Sequence, residues 1–426
     1  MNCKYKTIYL CPVSCSWLLI LDSWLHFILT SIFAASMHNP VSFDNTEIAF
    51  AQKSNSDLNR AYLLFKVISY PWLVKIAPPF VNTAFALHLP VKGLIRATAF
   101  RHFCGGENVE DCKKTISSLG KFNIGTILDY SVEGKETEED FEHSLQETLA
   151  CISLAKNEKH IPFSVFKLTG FARFGLLEKV NSKLALTNDE AEEFARVKMR
   201  VEKICAAADE ADVPVFIDAE ETWIQDVVDE LAEQMMMKHN RKKVLVYNTL
   251  QMYRTDRNSY LSKCYDHAVA NNYLLGLKLV RGAYMEKERA RAKKMNYPSP
   301  IQPTKYAADK DYDDALKFCV DHLDRISICA GTHNEKSSML LVELMKQKNI
   351  SNNNPHIWFS QLYGMSDHIS FNLAKEGYNV AKYVPYGPVA SVLPYLIRRA
   401  QENTSAAGQM GRELSLIITE KKRRNK

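Results

Sequence analysis

The stretch YNVAKYVPYGPVASVLPYLIRRAQEN, residues 378–403, decides the fold of this chain. Its first part, Tyr378–Pro385, is mostly apolar, as expected of a parallel strand that is buried on both faces. A Pro-Tyr-Gly-Pro turn follows and leads into a helix. Ser391 is placed to cap this helix, and Pro394 falls in its first turn, where proline is tolerated. The stretch therefore predicts a strand, a tight turn and a helix in immediate succession.

The predicted helix has two distinct faces. An apolar face follows the spacing of a buried stripe: Leu393, Leu396, Ile397 and Ala400. A polar face follows the same spacing on another side: Tyr395, Arg398, Arg399 and Glu402. Two neighbouring guanidinium groups can bind a small carboxylate in bidentate fashion, so this face is a candidate anion site. The alternative is a solvated face with an Arg398/Glu402 pair.

Similar β runs recur upstream and alternate with helical stretches. The predicted strands are Thr126–Ser131, Phe163–Thr169, Val213–Glu220, Lys243–Leu250, Leu274–Gly282, Ile326–Thr332, Ile357–Gly364 and Tyr378–Pro385. The predicted helices between them are Glu139–Lys156, Asn188–Ala211, Trp223–His239, Glu286–Met295, Asp311–His322 and Ser337–Gln347. Thr137 and Thr187 are placed as N-caps. Eight strands alternating with helices predict an α/β fold, a (β/α)8 barrel of the TIM type.

An open, doubly wound sheet is the alternative architecture, but no Gly-x-Gly-x-x-Gly motif follows any of the predicted strands. In a barrel, chemistry resides at the carboxyl ends of the strands. Polar side chains gather at these predicted ends: Asp129, Lys167, Asp218, Glu220, Asn248, Arg281, Tyr284, Thr332, His333, Asn334, Tyr363 and Tyr383. Together with the two arginines of the last helix, they predict a carboxylate-binding site at one end of the barrel.

The composition is that of an ordinary globular chain. Of the 426 residues, 46% are apolar and 24% charged, and the net charge of +5 is too small to indicate nucleic-acid binding. Part of this charge lies in 421–424, KKRR, which we interpret as a frayed end. The ten cysteines show no Cys-x-x-Cys pair and no zinc spacing, so buried thiols are expected and no metal site is predicted.

Four segments are expected along the chain. Residues 1–36 are expected to be an apolar leader that targets an organelle, or Met1 is a mis-called start and Met37 is the true initiator. Residues 37–115 form a helical N-terminal arm. Residues 116–405 form the barrel, and residues 406–426 form a basic tail. Within the arm, 58–103 is apolar and basic with prolines that interrupt any long helix. It either packs on the barrel or contacts a membrane surface.

From Thr126 to Asn403 the chain resembles the proline dehydrogenases, also called proline oxidases, which are flavin-dependent barrels. Six motifs occur in that family's order: FKLT (166–169), FIDAEE (216–221), LKLVRGAYMEKE (277–288), GTHN (331–334), QLYGM (361–365) and YLIRRAQEN (395–403). The resemblance implies a distorted barrel whose last helix lies over the strand ends. It also implies FAD as the cofactor, which accepts a hydride from L-proline at N5.

The resemblance assigns roles to individual residues. Arg398 and Arg399 would clamp the proline carboxylate, and Glu402 would hold the arginines. The other implied substrate and catalytic residues are Lys167, Asp218, Leu362, Tyr383 and Tyr395. The implied FAD contacts are Asn248, Lys278, Val280, Arg281, Gly282, Tyr284, Thr304, Lys305, Thr332, His333 and Asn334. Several family members have arginine at the position of Lys278 and glutamine at that of Asn248.

The implied activity is oxidation of L-proline to 1-pyrroline-5-carboxylate, the first step of proline catabolism, with electrons passed to a membrane quinone. About 20 residues follow Asn403, too few for a further domain. We therefore expect a separate pyrroline-5-carboxylate dehydrogenase to take the product, and no nucleic-acid partner. The expected location is the cytoplasmic side of the inner membrane in a bacterium, or the matrix side of the inner mitochondrial membrane in a eukaryote. Alternatives are a related flavin barrel acting on hydroxyproline or folate, and a non-catalytic carboxylate-binding scaffold.

Overall fold

The computed structural model describes residues 41–70, 72, 91–132, 134, 136–405 and 407–426, and the side chains of 401–405 and 407–410 fall outside this description. The chain divides into two compact units, Met1–Ser42 and Phe43–Lys426, and the second contains every helix and strand given below. The predicted leader, 1–36, lies outside the described residues. Across the described residues, no helix combines the length and apolar character needed to cross a membrane.

Eight parallel strands form a nearly closed barrel. The strands are β1 (Ile124–Tyr130), β2 (Ser164–Lys167), β3 (Val215–Asp218), β4 (Val246–Gln251), β5 (Leu275–Val280), β6 (Ile326–Gly331), β7 (Ile357–Leu362) and β8 (Val380–Tyr386). Each strand from β2 to β7 pairs with the next strand along the chain. β8 pairs with β1, and Ile127 lies opposite Tyr383 in this pair. A bridge between Ile127 and Phe163 joins β1 to β2. The predicted barrel is confirmed, and the open doubly wound sheet is excluded.

Helices precede the first strand, connect the strands and follow the last one. They are α1 (Thr46–Ala49), α2 (Asn55–Ile68), α3 (Val91–Ile95), α4 (Arg101–Phe103), α5 (Val109–Gly120), α6 (Glu138–Asn157), α7 (Phe174–Asn181), α8 (Asn188–Ala211), α9 (Thr222–His239), α10 (Arg257–Ala270), α11 (Met285–Met295), α12 (Lys305–Asp321), α13 (Glu335–Gln347), α14 (Asp367–Lys375), α15 (Leu393–Ser405) and α16 (Ala407–Arg424). A π-helical turn, Arg96–Phe100, joins α3 to α4. As predicted, the Thr137 side chain caps α6 and the Thr187 side chain caps α8.

Aromatic side chains fill the barrel interior below the strand ends. Phe163 stacks on Phe216 with ring centroids 4.4 Å apart, and Tyr247 packs edge-on against both rings. These rings share one buried cluster with Val165 and Tyr383. Because side chains fill this part of the barrel, the interior opens towards the carboxyl-terminal ends of the strands, where barrel enzymes have their sites.

The described part of the N-terminal arm packs on the last two helices. Phe65 of α2 belongs to one buried cluster with Tyr395 and Leu396 of α15 and Ile417 of α16. The interpretation of the basic C-terminus as a frayed end is wrong, because α16 continues to Arg424. The Arg424 guanidinium donates hydrogen bonds to backbone carbonyl groups of the arm at 2.8 and 2.9 Å. The described arm is therefore held to the barrel through α15 and α16.

The cysteines agree with the expectation of buried thiols. All seven in the described part of the chain are buried, and none of these seven is in a disulfide. Burial raises the pKa of the Cys329 thiol to about 11, although a hydrogen bond with Ser360 opposes the shift. Such a thiol stays protonated at neutral pH and behaves as a small apolar side chain.

Candidate active site

A cavity of about 310 Å³ opens at the carboxyl ends of the strands, next to α15. Most of the predicted site residues line it: Lys167, Asp218, Lys278, Val280, Arg281, Gly282, Tyr284, Lys305, Thr332, His333, Asn334, Leu362, Tyr383, Tyr395, Arg398 and Arg399. These residues come from the ends of six strands and from two helices. The barrel therefore gathers residues that are up to about 230 positions apart in sequence into one site.

Three predicted site residues behave differently. Asn248 does not line the cavity; its side-chain amide donates a hydrogen bond of 2.9 Å to Asp229 of α9, on the outer face of β4. Thr304 caps α12 by accepting a hydrogen bond of 3.1 Å from the Ala307 N–H, and it is also absent from the cavity wall as described. The side chain of Glu402 lies outside the described residues.

Asp129, which the sequence analysis placed at a strand end without a role, also lines the cavity. The cavity further contains residues that the sequence analysis did not assign to the site: Ser131, Ala219, Thr249, Gln251, Ala283, Gly331, Ser360 and Gln361. Side chains of a strand point alternately to its two faces. On β4, Tyr247, Thr249 and Gln251 face the barrel interior, which leaves Asn248 on the outer face. The two-residue alternation could have identified Gln251, three positions after Asn248, as the amide that reaches the cavity.

A buried ionic network lies on one side of the cavity. The Lys167 ammonium donates hydrogen bonds to the Asp129 carboxylate at 3.1 and 3.2 Å, and lies 3.5 Å from the Asp218 carboxylate. Ser131 Oγ also donates to Oδ2 of Asp129. Two carboxylates thus hold one ammonium group at the ends of β1, β2 and β3.

Asp218 is the centre of this network. Lys278 Nζ donates to one carboxylate oxygen of Asp218, and the Tyr383 hydroxyl donates to the other. Burial by itself would raise the pKa of Asp218, but the charges of Lys278 and Lys167 and these two hydrogen bonds outweigh it, so the pKa lies below its ordinary value. Lys278 Nζ also lies 4.7 Å from the centroid of the Tyr383 ring. The network fixes both the anion and the tyrosine ring.

Hydrogen-bond donors line the part of the cavity formed by β5 and β6. The Arg281 guanidinium donates to Asp309 at 2.6 Å, Thr332 at 2.6 Å and Ser337 at 2.9 Å, which fixes its plane. Gly282 follows with φ of +138°, and a Cβ at this position would lie 2.2 Å from the Tyr253 ring. Only glycine is compatible with this close approach.

His333 lies in the same part of the cavity. Its Nδ1 is 2.9 Å from Ser366 Oγ, and the two atoms share a hydrogen bond. Burial, followed by the positive charges of Lys382 and Arg399, lowers the pKa of His333 to about 3. The imidazole is therefore neutral at physiological pH, with one N–H donor and one acceptor nitrogen.

Helix α15 contributes its polar face to the cavity. Tyr395 and Arg399 are buried, with 5% and 8% of their surface exposed, so this part of the face is not solvated. The Arg399 guanidinium carbon lies 5.2 Å from the centroid of the Tyr395 ring, a favourable cation–π distance. The helix begins at Leu393, so Ser391 lies two residues before it rather than at the predicted cap. The two arginines nevertheless face the strand ends.

A buried glutamate links two of the loops beside the cavity. Glu220 accepts hydrogen bonds from the Thr169 N–H at 3.0 Å and from the Thr169 hydroxyl at 2.5 Å. The Gln251 amide donates to the Glu220 carbonyl at 2.6 Å. Burial raises the pKa of Glu220 to about 7, although the hydrogen bonds from Thr169 oppose the shift. Glu220 therefore titrates near neutral pH.

Glu220→Gln is expected to gain stability over the wild-type chain as the pH rises. A carboxyl whose pKa is higher in the folded than in the unfolded chain weakens folding above its unfolded pKa, because the unfolded chain gives up the proton more readily. The shift from 4.5 to about 7 predicts that the difference in unfolding free energy grows by about 2–3 kcal/mol between pH 5 and pH 8. Urea denaturation of both proteins at pH 5 and pH 8 measures this difference in unfolding free energy. Glu192→Gln, at an exposed position on α8, is the control, and parallel profiles for wild type and Glu220→Gln would contradict the prediction.

The fold and the cavity define the class of the protein. A (β/α)8 barrel with buried, paired charges and a cationic helix at the carboxyl ends of its strands is the architecture of a barrel enzyme. The chain belongs to the proline dehydrogenase family, whose model, described as "Proline dehydrogenase", matches residues 112–412. It is accordingly an oxidoreductase of the proline dehydrogenase type.

Curated relatives support this membership. Proline dehydrogenase 1, mitochondrial, of Dictyostelium discoideum is 30% identical over 91% of this chain and 76% of its own length. The carbapenem antibiotics biosynthesis protein CarD of Pectobacterium carotovorum subsp. carotovorum is 35% identical over 76% of this chain and 83% of its own length. The hydroxyproline dehydrogenase of Xenopus laevis is 29% identical over 92% of both chains. The relatives thus include proteins named for two different imino acids.

Solved structures support the fold. The crystal structure of proline utilization A from Bdellovibrio bacteriovorus, inactivated by N-propargylglycine, matches with a TM-score of 0.66 and 18% sequence identity. The match covers 85% of this chain and 37% of that one, so this chain spans little more than a third of that protein. At this level of identity, the similarity concerns the barrel architecture alone.

Proposed function

We propose that this protein uses FAD to oxidise L-proline to 1-pyrroline-5-carboxylate and passes the electrons to a membrane quinone. The observation that carries the proposal is the composition of one cavity: Arg398 and Arg399 of α15 line it together with the Lys167–Asp218–Lys278–Tyr383 network. The two arginines on α15 and the fixed polar groups at the strand ends suit a small, rigid amino acid, because one set can bind its carboxylate and the other its amine.

The arginines are assigned to the substrate carboxylate. Guanidinium groups bind carboxylates in bidentate fashion, and a partly desolvated site strengthens the interaction. Arg399 is buried, so the charge it offers is poorly screened. Because the carboxylate does not react, binding energy at that end of the substrate orients the ring carbon that does. Glu402 is proposed to hold the arginines.

The donor set around the ends of β4, β5 and β6 suits a flavin. Arg281 and Lys305 supply positive charge, while Gln251, Thr332, neutral His333 and Asn334 supply hydrogen-bonding groups without charge. The remaining proposed contacts, Lys278, Val280, Gly282 and Tyr284, line the same cavity. We replace Asn248 by Gln251 in the proposed set, and Thr304 is retained only as the cap of α12. FAD, when bound, would supply the acceptor for the hydride that leaves the substrate carbon next to the amine.

The chain's own residues orient the substrate and balance charge. Arg281 is fixed by three hydrogen bonds, so its positive charge needs no rearrangement to stabilise negative charge that develops nearby. Lys167 is held between Asp129 and Asp218, and Asp218 remains ionised because its pKa is lowered. We propose that this network accommodates the amine end of the substrate, while Leu362 and Tyr395 form the walls around the ring.

Tyr383 favours proline over hydroxyproline in this proposal. Its hydroxyl is bound to Asp218 and its ring lies against Lys278, so the wall that it forms has little freedom to move. A hydroxyl on the substrate ring would compete with these contacts. The second candidate substrate is nevertheless hydroxyproline, because a hydroxyproline dehydrogenase matches this chain over 92% of its length.

The proposed electron acceptor requires contact with a membrane. On the arm, Leu63, Val67, Tyr70 and Trp72 are exposed apolar side chains, and Lys66 is an exposed cation among them. An apolar surface with interspersed cations suits the interface of a bilayer with anionic lipids. We propose peripheral attachment to the inner mitochondrial membrane in a eukaryote, or to the bacterial inner membrane. A separate pyrroline-5-carboxylate dehydrogenase would consume the product.

Anaerobic addition of L-proline to the purified protein is expected to bleach flavin absorption bands in its visible spectrum. The same experiment with 4-hydroxyproline and with a reduced folate identifies the substrate class. Stronger bleaching by one of these would replace proline as the substrate and keep the flavin barrel. A colourless protein that binds no added FAD would contradict the enzymatic proposal and favour a carboxylate-binding scaffold.

A further inference from the structure

The loop that follows β7 contains a residue in an unusual backbone conformation. Ser366 is fully buried and has φ of +50° and ψ of +41°, in the left-handed region. This region costs a residue with a Cβ about 1 kcal/mol or more, and it persists when the surroundings impose it. Ser366 therefore has a fixed position that its neighbours must maintain.

Each polar group of Ser366 has a hydrogen-bond partner on a different element. Its N–H donates to the carboxylate of Glu413 on α16. Its carbonyl accepts from the N–H groups of Ile369 at 3.0 Å and Ser370 at 3.2 Å, in the first turn of α14. Its hydroxyl is the group that bonds His333 Nδ1 at 2.9 Å. Ser366 thus connects the C-terminal helix to a cavity-lining histidine.

Glu413 is buried and does not line the cavity. The carboxylate is buried, with 4% of the residue exposed, and Glu413 is not among the described residues that line the cavity. It lies one position beyond the part of the chain that the family model matches. A buried carboxylate is costly unless it is hydrogen-bonded, so the bond to the Ser366 N–H stabilises both groups.

We propose that Glu413 is a positioning residue for the cavity, because through Ser366 it fixes the ring orientation and the tautomer of His333. A neutral imidazole has one N–H, and the Ser366 hydroxyl can either donate to Nδ1 or accept from it. The geometry in which Glu413 holds Ser366 is proposed to select one of these two arrangements, and with it what Nε2 can offer. The contacts run from Glu413 on α16 to Ser366 in the loop after β7 and then to His333 in the loop after β6. The inference rests on the proposed function only in treating the His333 wall as the flavin side of the cavity.

The test is the ring nitrogen NMR spectrum of His333 in the full chain at pH 7, with ¹⁵N-labelled histidine and a His333→Gln variant to identify the signals. The wild-type chain should show two well-separated signals, one from a protonated and one from an unprotonated nitrogen. Glu413→Ala and Ser366→Ala should move both signals towards the average of the two tautomers. Glu413→Gln keeps an acceptor oxygen and should retain the wild-type pattern.

Glu420→Ala is the matched control. Glu420 is a fully buried glutamate on the same helix, and it accepts hydrogen bonds from Arg423 at 2.8 Å and Arg424 at 2.6 Å. The Glu420→Ala variant should leave the His333 signals unchanged, even where it lowers the stability of the chain. Urea denaturation measures the stability of every variant. Unchanged signals in both Glu413→Ala and Ser366→Ala, or an equal change in Glu420→Ala, would overturn the proposal.

Flavin affinity gives a second readout. Glu413→Ala and Ser366→Ala should weaken FAD binding roughly tenfold, the effect of about one hydrogen bond from the neutral His333 imidazole, while Glu413→Gln stays within about twofold of wild type. Equal FAD affinity in all four proteins would contradict the role of His333 in binding. If no protein binds FAD, the proposed function fails, whereas the NMR signals still decide the positioning role of Glu413.

Discussion

Arg399→Met should lower kcat/KM for L-proline by about two to three orders of magnitude. Loss of one member of a desolvated charge pair costs about 3–4 kcal/mol, because the substrate carboxylate then keeps only Arg398 of its two proposed guanidinium partners. Arg399 is 8% exposed and packs on Tyr395, so water cannot readily take the place of its guanidinium. Most of the effect should appear in KM, with a smaller loss in kcat from poorer orientation. Steady-state kinetics with a soluble quinone measures both constants.

Pyrrolidine, which is proline without its carboxylate, makes this prediction specific. If Arg399 binds the carboxylate, the substitution should scarcely change the already low kcat/KM for pyrrolidine, so the preference for proline should collapse in Arg399→Met. Arg399→Lys keeps the charge without the planar fork, so its kcat/KM for L-proline should fall between those of wild type and Arg399→Met. Arg196→Met removes a half-exposed arginine that pairs with Glu138 on the barrel surface, and it should behave like wild type. An equal loss of activity towards both substrates would show that Arg399 serves folding instead.

The barrel could be predicted from the sequence because each strand is a short apolar run of a recognisable kind. All eight predicted strands exist, with ends shifted by a few residues. Helices α7, α10 and α14 were missed. The amphipathic pattern of α10, RNSYLSKCYDHAVA, is weak, whereas α7 and α14 are only eight and nine residues long, and nearly every residue of α14 is buried, polar ones included. Periodicity identifies a helix by the contrast between its faces over several turns, which a short helix does not provide.

The site was predictable to the extent that sequence motifs coincide with strand ends. The sequence analysis assigned Asn248 to the site, but the Asn248 side chain points away from the cavity and that of Gln251 points into it. The alternation of side chains along β4 accounts for this difference. The contacts among Lys167, Asp129 and Asp218 join three different strands, so no local pattern reveals them. Glu413 is 80 positions away from His333, and the bond between α16 and the β7 loop arises only when the barrel is assembled.

Asp218→Asn should destabilise the folded chain by about 3 kcal/mol or more and abolish most of the activity. Asp218 is the carboxylate shared by Lys278, Lys167 and Tyr383, and Lys278 is buried with 4% of its surface exposed. Removing the negative charge leaves a buried ammonium without sufficient compensation, which is among the most costly single changes in a protein interior. Denaturation in urea measures the loss of stability, and anaerobic reduction by L-proline measures the loss of activity.

A second substitution separates charge from shape in this prediction. Lys278→Met in the Asp218→Asn background removes the uncompensated ammonium and keeps most of the side-chain volume, so it should recover at least half of the lost stability without restoring activity.

The sign of the pH dependence gives an independent check. The pKa of Asp218 is lower in the folded than in the unfolded chain, so its contribution to stability is fully present above about pH 4 and lost as the pH falls further. The stability difference between wild type and Asp218→Asn should therefore stay constant from pH 5 to pH 8 and shrink in acid. A difference that grows in acid, or a double variant less stable than Asp218→Asn, would mean that the Asp218–Lys278 pair does not stabilise the barrel mouth.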